Sequence, residues 1–144
     1  LDYLLVDLPP GTSDASLTTM QSLPVNGIIM VTTPQSLASM IVRKAVHMAQ
    51  AVNTPIIGVV ENMAYFLCPD TGKKHQIFGP SHANEVAFTA NAPLLAKLPI
   101  DPQVAALCDA GRVEEVTLQE TPGFLSAFTE IPAVHLENLH ARGS

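Results

Sequence analysis

An acidic residue followed by a stiff turn lies near the start of the chain, in the stretch VDLPPGTSD at residues 6–14. Asp7 ends an apolar run, and a carboxylate there can hold a magnesium ion, directly or through water, beside a polyphosphate. The Pro-Pro pair stiffens the exit from the run, while Gly11 lets a ligand approach the backbone closely. The N–H groups of Gly11 and Thr12 could then face a γ-phosphate or an attacking water. The pattern is typical of the acid and switch of a nucleoside triphosphatase.

The same stretch has a second interpretation, as a strand that ends at a Pro-rich turn before a helix. Asp14 lies where it could cap that helix or position a water molecule. Residue spacing alone does not separate a catalytic switch from a capped turn, so both interpretations remain open.

The elements around this turn predict an α/β fold, with a mostly parallel sheet and helices on both faces. Short apolar segments bounded by Pro, Gly or Asn alternate with helical patterns along the chain. Right-handed crossovers between parallel strands place helices on both faces of such a sheet. The predicted strands are residues 2–7, 27–32, 56–61 and 94–98.

The predicted helices begin at recognisable start signals. The clearest spans residues 33–53, with Thr33 as the N-cap, Pro34 in the first helical position and one apolar stripe along its length. In IDPQVAALCDAG, Asp101 is a predicted N-cap. Cys108 lies on the apolar stripe of that last helix, which predicts a buried structural thiol.

Residues 62–79, NMAYFLCPDTGKKHQIFG, interrupt the alternation of strands and helices. Two apolar arms flank Pro69–Gly72, whose residue types favour a turn. The segment therefore predicts a hairpin-like excursion from the sheet. Cys68 lies where the first arm meets the turn.

The composition excludes several classes of protein. The chain has 144 residues, of which 47% are hydrophobic and 14% charged, and this suits one apolar α/β domain or a piece of a larger domain. A net charge of −6 argues against a nucleic-acid surface. No apolar run reaches the roughly 18 residues that a membrane span needs. Two cysteines make no disulfide framework, and with no recognisable signal peptide the expected location is the cytoplasm.

Four segments together resemble the second half of the Mrp (ApbC-type) family, which are P-loop ATPases of the MinD/ParA branch that carry iron–sulfur clusters to apo-proteins. They are DYLLVDLPPGTSD, VTTPQSLASMIVRKAVHM, GVVENMAYFLCPDTGKKHQIFG and APLLAKLPIDPQV, and the likeness extends to about residue 125. The resemblance implies that residues 1–144 are a single domain, the C-terminal portion of a P-loop ATPase domain. It also implies a homodimer with two ATP sites, a bridging [4Fe–4S] cluster and apo iron–sulfur proteins as clients.

The resemblance also implies roles for particular residues. Asp7 matches the magnesium-side aspartate, and residues 9–12 match the phosphate-sensing switch. Asn62 matches an asparagine that reads the adenine edge, a role that suits an amide, which both donates and accepts hydrogen bonds. Pro99 and Asp101 match a loop near the base, although Asp101 could equally be only a helix cap.

Two departures from the family pattern limit these implications. The glycine-rich lysine motif that cradles phosphates is absent, so the chain is either a fragment or not a self-sufficient ATPase. The cluster motif Cys-Pro-x-Cys reads Cys68-Pro69-Asp70-Thr71 here, so two copies supply two thiolates instead of four. Asp70 or His75 could complete a metal site, or the hairpin could be a metal-free dimer contact.

Three functions remain in competition. The favoured one is an ATP-binding protein that binds iron–sulfur clusters and transfers them to apo-proteins, with ATP and magnesium as cofactors and hydrolysis in the intact protein. The second is a metal-free regulatory ATPase of the MinD/ParA kind, and the third is a non-catalytic module. The isolated chain is expected to hydrolyse little ATP because it lacks the phosphate loop.

Overall fold

The structure, a computed structural model, describes residues 4–116. Within that range the chain forms four strands, four α-helices and one short 3₁₀ helix. The strands are β1 (Ile28–Thr32), β2 (Ile56–Leu67), β3 (Lys74–His75) and β4 (Leu94–Ile100). The helices are α1 (Asp14–Ser22), α2 (Ser36–Ala51), α3 (Ala83–Ala90) and α4 (Pro102–Asp109), and the 3₁₀ helix spans Val113–Glu115.

β2 is the central strand of the sheet. It pairs in parallel with β1 on one side and with β4 on the other, and its distal part pairs antiparallel with β3. The predicted α/β fold with a mostly parallel sheet is therefore confirmed. Because the three parallel strands run the same way, their carboxyl ends meet at one edge of the sheet.

The main core lies between the sheet and two helices. α2 and α3 contact each other, α2 contacts β1, and α3 contacts β2 and β4, so both helices lie on one face. Val46, Val59 and Val86 are fully buried where these elements meet. Each such side chain contributes about 1.5–3 kcal/mol relative to an exposed one, so this cluster positions β2 firmly beneath the helices. The sequence predicts helices on both faces of the sheet. The contacts of α2 and α3 account for the helices on one of these faces.

The sequence predicts a first strand at residues 2–7, and for residues 4–7 this prediction is wrong. Residues 4–7 form no strand pairing, and Leu4, Leu5 and Val6 are 71%, 92% and 49% exposed. An apolar run becomes a buried strand only where a neighbouring strand takes up its backbone hydrogen bonds. No strand within residues 4–116 does so, and residues 2 and 3 lie outside the described range.

β1 is an edge strand in the described part of the sheet. It pairs with β2 alone, and its side chains alternate between the core and the outside. Met30 is buried, whereas Ile29 and Val31 on the opposite face are 49% and 57% exposed. The strand thus presents both an open backbone edge and an apolar face.

Two helices begin at residues other than the predicted ones. Ser13, rather than Asp14, caps α1, because its hydroxyl accepts a hydrogen bond from the Ser16 N–H at 3.2 Å. α2 begins at Ser36, and Pro34 is buried in the connection from β1 instead of occupying the first helical turn. No helix within residues 4–116 is long and apolar enough to cross a membrane.

The predicted hairpin excursion within residues 62–79 is confirmed. β2 continues beyond the parallel sheet to Leu67, and its last residues pair with β3 through Phe66 opposite His75. The Cys68 N–H donates to the Lys73 carbonyl at 2.9 Å, and the Gly72 N–H donates to the Cys68 carbonyl at 2.8 Å. Cys68 is therefore held by backbone hydrogen bonds at the base of the turn.

Candidate functional site

Three of the predicted ligand-binding residues lie toward the carboxyl edge of the parallel sheet. Asn62 lies in β2 directly after Glu61, where the register with β4 shifts. Pro99 lies near the end of β4, and Asp101 follows the last residue of that strand. Tyr65 pairs with Pro99, so the end of β4 runs alongside the continuation of β2. Ligands of open α/β sheets bind beyond such an edge, which makes it the candidate nucleotide site.

Asn62 lies at an irregular point in β2. Its side-chain Oδ1 accepts a hydrogen bond from the Met63 N–H at 2.9 Å, and Met63 has a φ of +55°. The register with β4 shifts between Glu61 and Tyr65, so the irregularity coincides with the candidate site. The bond to Met63 orients the amide plane, and Nδ2 of the same amide can donate to a base edge.

Asp101 caps α4. Its Oδ1 accepts from the Gln103 N–H at 2.9 Å and lies 3.5 Å from the Val104 nitrogen, as the helix-cap interpretation of the sequence predicts. This carboxylate is therefore engaged by its own helix. Pro99 is buried within β4, so the two residues give the segment between them a defined backbone path.

The turn that follows Asp7 lies against α2. Asp7 and Thr12 are exposed and Gly11 is partly buried. Gly11 has a φ of +83°, a backbone region that suits glycine, and a Cβ atom there would lie 3.9 Å from the Ile41 Cγ2 atom. Leu8 packs against the main core and anchors the turn. The Asp7 carboxylate is left accessible to a ligand.

Glu61 is a candidate site residue that the sequence interpretation did not assign. Its side chain is 0% exposed, and neither carboxylate oxygen has a hydrogen-bond partner in the structure. It lies in register with Thr32 of β1 and Lys97 of β4. Burying a charge without a partner costs several kcal/mol, so such a group calls for a functional explanation. Its signal in the sequence is an acid that ends an apolar strand, the same pattern that drew attention to Asp7.

Cys68 is a partly exposed thiol whose surroundings favour the thiolate. The Thr71 hydroxyl is the strongest cause of a lowered pKa of Cys68, followed by hydrogen bonds from the Thr71 and Asp70 backbone. Hydrogen bonds to the thiolate favour its charged form, which is the form that binds metals. The described residues include no group of three or more His, Cys, Asp or Glu that could hold a metal ion. One copy of the hairpin therefore offers a single thiol with a lowered pKa.

The sequence predicts a buried thiol at Cys108, and this prediction is wrong because the thiol is exposed. α4 contains no buried residue, so its apolar stripe has no packed surface within the described structure to cover it. The thiol of Cys108 is therefore exposed, and that of Cys68 is partly exposed.

Removing the Thr71 hydroxyl is expected to raise the pKa of Cys68. In a Cys108→Ser background, Thr71→Val should shift the pH midpoint of iodoacetamide alkylation upward, since the largest cause of the lowered pKa is lost. Thr71→Ser keeps a hydroxyl and should keep the wild-type midpoint. Equal midpoints for the valine and serine variants would contradict the assigned cause.

A mostly parallel sheet that gathers an amide and two strand ends at its carboxyl edge is the architecture of an α/β nucleotide-binding protein. The sequence pattern of the family described as "ParA: NUBPL iron-transfer P-loop NTPase" matches residues 1–133, and the chain belongs to this family.

Curated proteins that are similar to this chain in sequence are longer than the chain. An iron–sulfur cluster carrier protein of Aquifex aeolicus is 47% identical over 111 residues, which are 77% of this chain and 30% of that protein. One from Clostridium perfringens is 46% identical over 115 residues, which are 80% of this chain and 40% of that protein. The chain thus spans well under half the length of these curated relatives.

A solved structure extends the comparison to three dimensions. A nucleotide-binding protein from Archaeoglobus fulgidus, solved in complex with ADP, superimposes with a TM-score of 0.74 at 45% identity. The match covers 89% of this chain and 51% of that one. Sequence and fold therefore agree on the family.

Proposed function

We propose that this chain is the part of an iron–sulfur cluster carrier that contacts an adenine nucleotide and presents the cluster to client proteins. The observation that carries the proposal is the course of β2. This single strand leads from Asn62 at the carboxyl edge to Cys68 at the base of the hairpin turn. The candidate nucleotide edge and a thiol with a lowered pKa are thus joined by one continuous element.

The nucleotide part of the proposal uses groups that the chain already orients. Asn62 reads the adenine edge through its amide, while the backbone of residues 99–101 passes beside the base. Asp7 anchors magnesium, which keeps most of its waters and needs only one or two carboxylates besides the phosphates. Magnesium supplies charge neutralisation for the transferring phosphoryl group. Gly11 and Thr12 hold the phosphate side of the site through their backbone N–H groups.

The cluster part of the proposal needs two copies of the chain. A cluster is the cargo of the carrier, and thiolates suit it because soft sulfur donors match iron. Cys68 from each copy of a homodimer supplies two thiolates, and the client supplies the remaining ligands as it accepts the cluster. The carrier acts in the cytoplasm, residues 1–144 belong to one ATPase domain, and hydrolysis takes place in the intact protein.

Cluster loading by the full-length gene product tests this function. After anaerobic reconstitution, the wild type should bind iron as a labile cluster and pass it to an apo-ferredoxin, whereas Cys68→Ala should not. Cys108→Ala removes the other exposed thiol and should behave like the wild type. If Cys68→Ala loads and transfers iron as the wild type does, a metal-free regulatory ATPase becomes the better account.

Nucleotide recognition by Asn62 is tested separately from cluster loading. Asn62→Ala is expected to weaken ATP binding by about 1–3 kcal/mol, because base-edge groups lose their partner, and to blur the preference for ATP over GTP. Calorimetric titration of both nucleotides measures this. Asn84→Ala removes an exposed amide from α3 and should leave both affinities unchanged.

Asn62→Asp separates base reading from a backbone role. The aspartate keeps an acceptor for the Met63 N–H but loses the Nδ2 donor. If Asn62 reads the base, Asp should weaken ATP binding at least as much as Ala. Wild-type affinity in the aspartate variant together with a loss in the alanine variant would assign Asn62 to the backbone turn alone.

A further inference from the structure

Two residues of opposite charge lie in register on neighbouring strands but form no ion pair in the structure. Glu61 of β2 and Lys97 of β4 are partners in the parallel ladder, so their side chains leave the same face of the sheet. Glu61 is fully buried, and neither of its oxygens has a hydrogen-bond partner. Lys97 is partly buried, and it takes part in none of the ion pairs found within residues 4–116.

The ladder offers Glu61 one cation. Its register partner on the other side is Thr32, a neutral residue whose hydroxyl donates to the Thr33 carbonyl at 3.3 Å. A buried carboxylate is stabilised more by a hydrogen-bonded cation than by a hydroxyl, since charge-assisted hydrogen bonds are the stronger ones. Lys97 is therefore the group that can neutralise Glu61 from within the sheet.

We propose that Glu61 and Lys97 form an ion pair when an adenine nucleotide covers the carboxyl edge, and that this pair positions residues 99–101 against Asn62. The proposal rests on the nucleotide binding proposed above. Lys97 lies two residues before Pro99 on β4, and Glu61 immediately precedes Asn62 on β2. A bond between the two strands at this point sets the spacing of the groups that flank the base.

The dependence on nucleotide follows from hydration. While water reaches Lys97, its ammonium stays solvated, and pairing with a buried carboxylate does not repay the loss of that water. A nucleotide over the edge excludes the water and lowers the local dielectric, which strengthens the attraction between the charges. Because the pair forms only in the bound state, its free energy adds to the affinity for nucleotide.

A double-mutant cycle on ADP affinity tests the pair in the full-length gene product. Calorimetry would compare the wild type with Glu61→Gln, Lys97→Gln and the double variant. Each single change should weaken ADP binding about ten-fold, and the double variant should be no weaker than either single one. Lys97→Arg keeps the charge and should restore most of the affinity. Lys44→Gln, which removes an exposed charge from α2, should bind ADP as the wild type does.

The outcomes separate this proposal from the proposed function. If the wild type binds no ADP, the nucleotide function fails and the pair fails with it. If the wild type binds but the two losses add, or if Lys97→Gln binds normally, the pair is wrong while the nucleotide function stands. Circular dichroism verifies that each variant is folded. Should Glu61→Gln not fold, a loss in Lys97→Gln that Lys97→Arg restores supports the pair, and equal affinities in both overturn it.

Discussion

Replacing Asp7 by Asn is expected to lower the rate of ATP hydrolysis by the full-length gene product about 100-fold or more. The carboxylate is exposed at the start of the glycine-containing turn, where it is accessible to a hydrated magnesium ion. Asparagine keeps the shape of the side chain but removes the charge that anchors the metal beside the phosphates. A 100-fold loss corresponds to about 2.7 kcal/mol of barrier, which is in the range for removal of one metal-anchoring group.

Asp14→Asn is the matched control for Asp7. It removes the same charge from an exposed position seven residues further along the chain, and Ser13 rather than Asp14 caps α1. Steady-state hydrolysis at several magnesium concentrations should separate the two variants, with Asp14→Asn close to the wild type. Unchanged turnover in Asp7→Asn, or equal losses in both variants, would remove Asp7 from the magnesium site.

Replacing Thr71 by Cys is expected to convert weak iron retention into a full complement of one [4Fe–4S] cluster per dimer. The pKa of Cys68 is lowered chiefly by a hydrogen bond from the Thr71 side chain, so a side chain at position 71 reaches the sulfur at position 68. A second thiolate in that place raises the number of cysteine ligands in a homodimer from two to four, which is the usual set for this cluster. Iron and sulfide counts after anaerobic reconstitution measure the change.

Two variants control the Thr71→Cys experiment. Thr71→Ser keeps the hydroxyl without adding sulfur and should retain as little iron as the wild type. Cys68→Ala combined with Thr71→Cys leaves one thiolate in each copy and should lose the gain. A wild type that already holds a complete, stable cluster would mean that another residue, such as His75, is a ligand.

The three parallel strands could be predicted from the sequence because each is a short apolar run between residues that break regular structure. β1 and β4 begin or end within two residues of the predicted limits. The sequence predicts that β2 ends at residue 61, yet the strand continues to Leu67. The polar Glu61 and Asn62 resemble a strand end, whereas the ladders with β4 and β3 carry the backbone through a bulge.

Two of the incorrect predictions share a physical cause. Residue types alone predict a buried position for the apolar run before Asp7 and for the stripe that contains Cys108, but both are exposed. Burial requires a second surface, and residue types do not reveal which surface another segment provides. For the same reason the burial of Glu61 became visible only when the neighbouring strands were in place.

The candidate site residues differ in how the sequence indicates them. The resemblance to the Mrp family indicates Asn62 and Cys68 as candidates, because both lie in motifs that are local in the chain. For Asp101 the sequence allows two roles, a loop near the base or a helix cap. The hydrogen bond that its side chain accepts from the Gln103 N–H establishes the helix cap. The two roles differ in side-chain geometry, and residue spacing in a sequence does not reveal that geometry.

The open edge and apolar outer face of β1 have a consequence for handling the chain in solution. Among residues 4–116, β1 leaves the backbone groups of one edge unpaired and has exposed Ile29 and Val31, and such a strand is a template on which another copy can add a strand. The chain purified by itself should therefore show concentration-dependent light scattering and bind hydrophobic dyes. Ile29→Lys would place a charge on that face and is expected to keep preparations colloidally stable without disturbing the buried Met30.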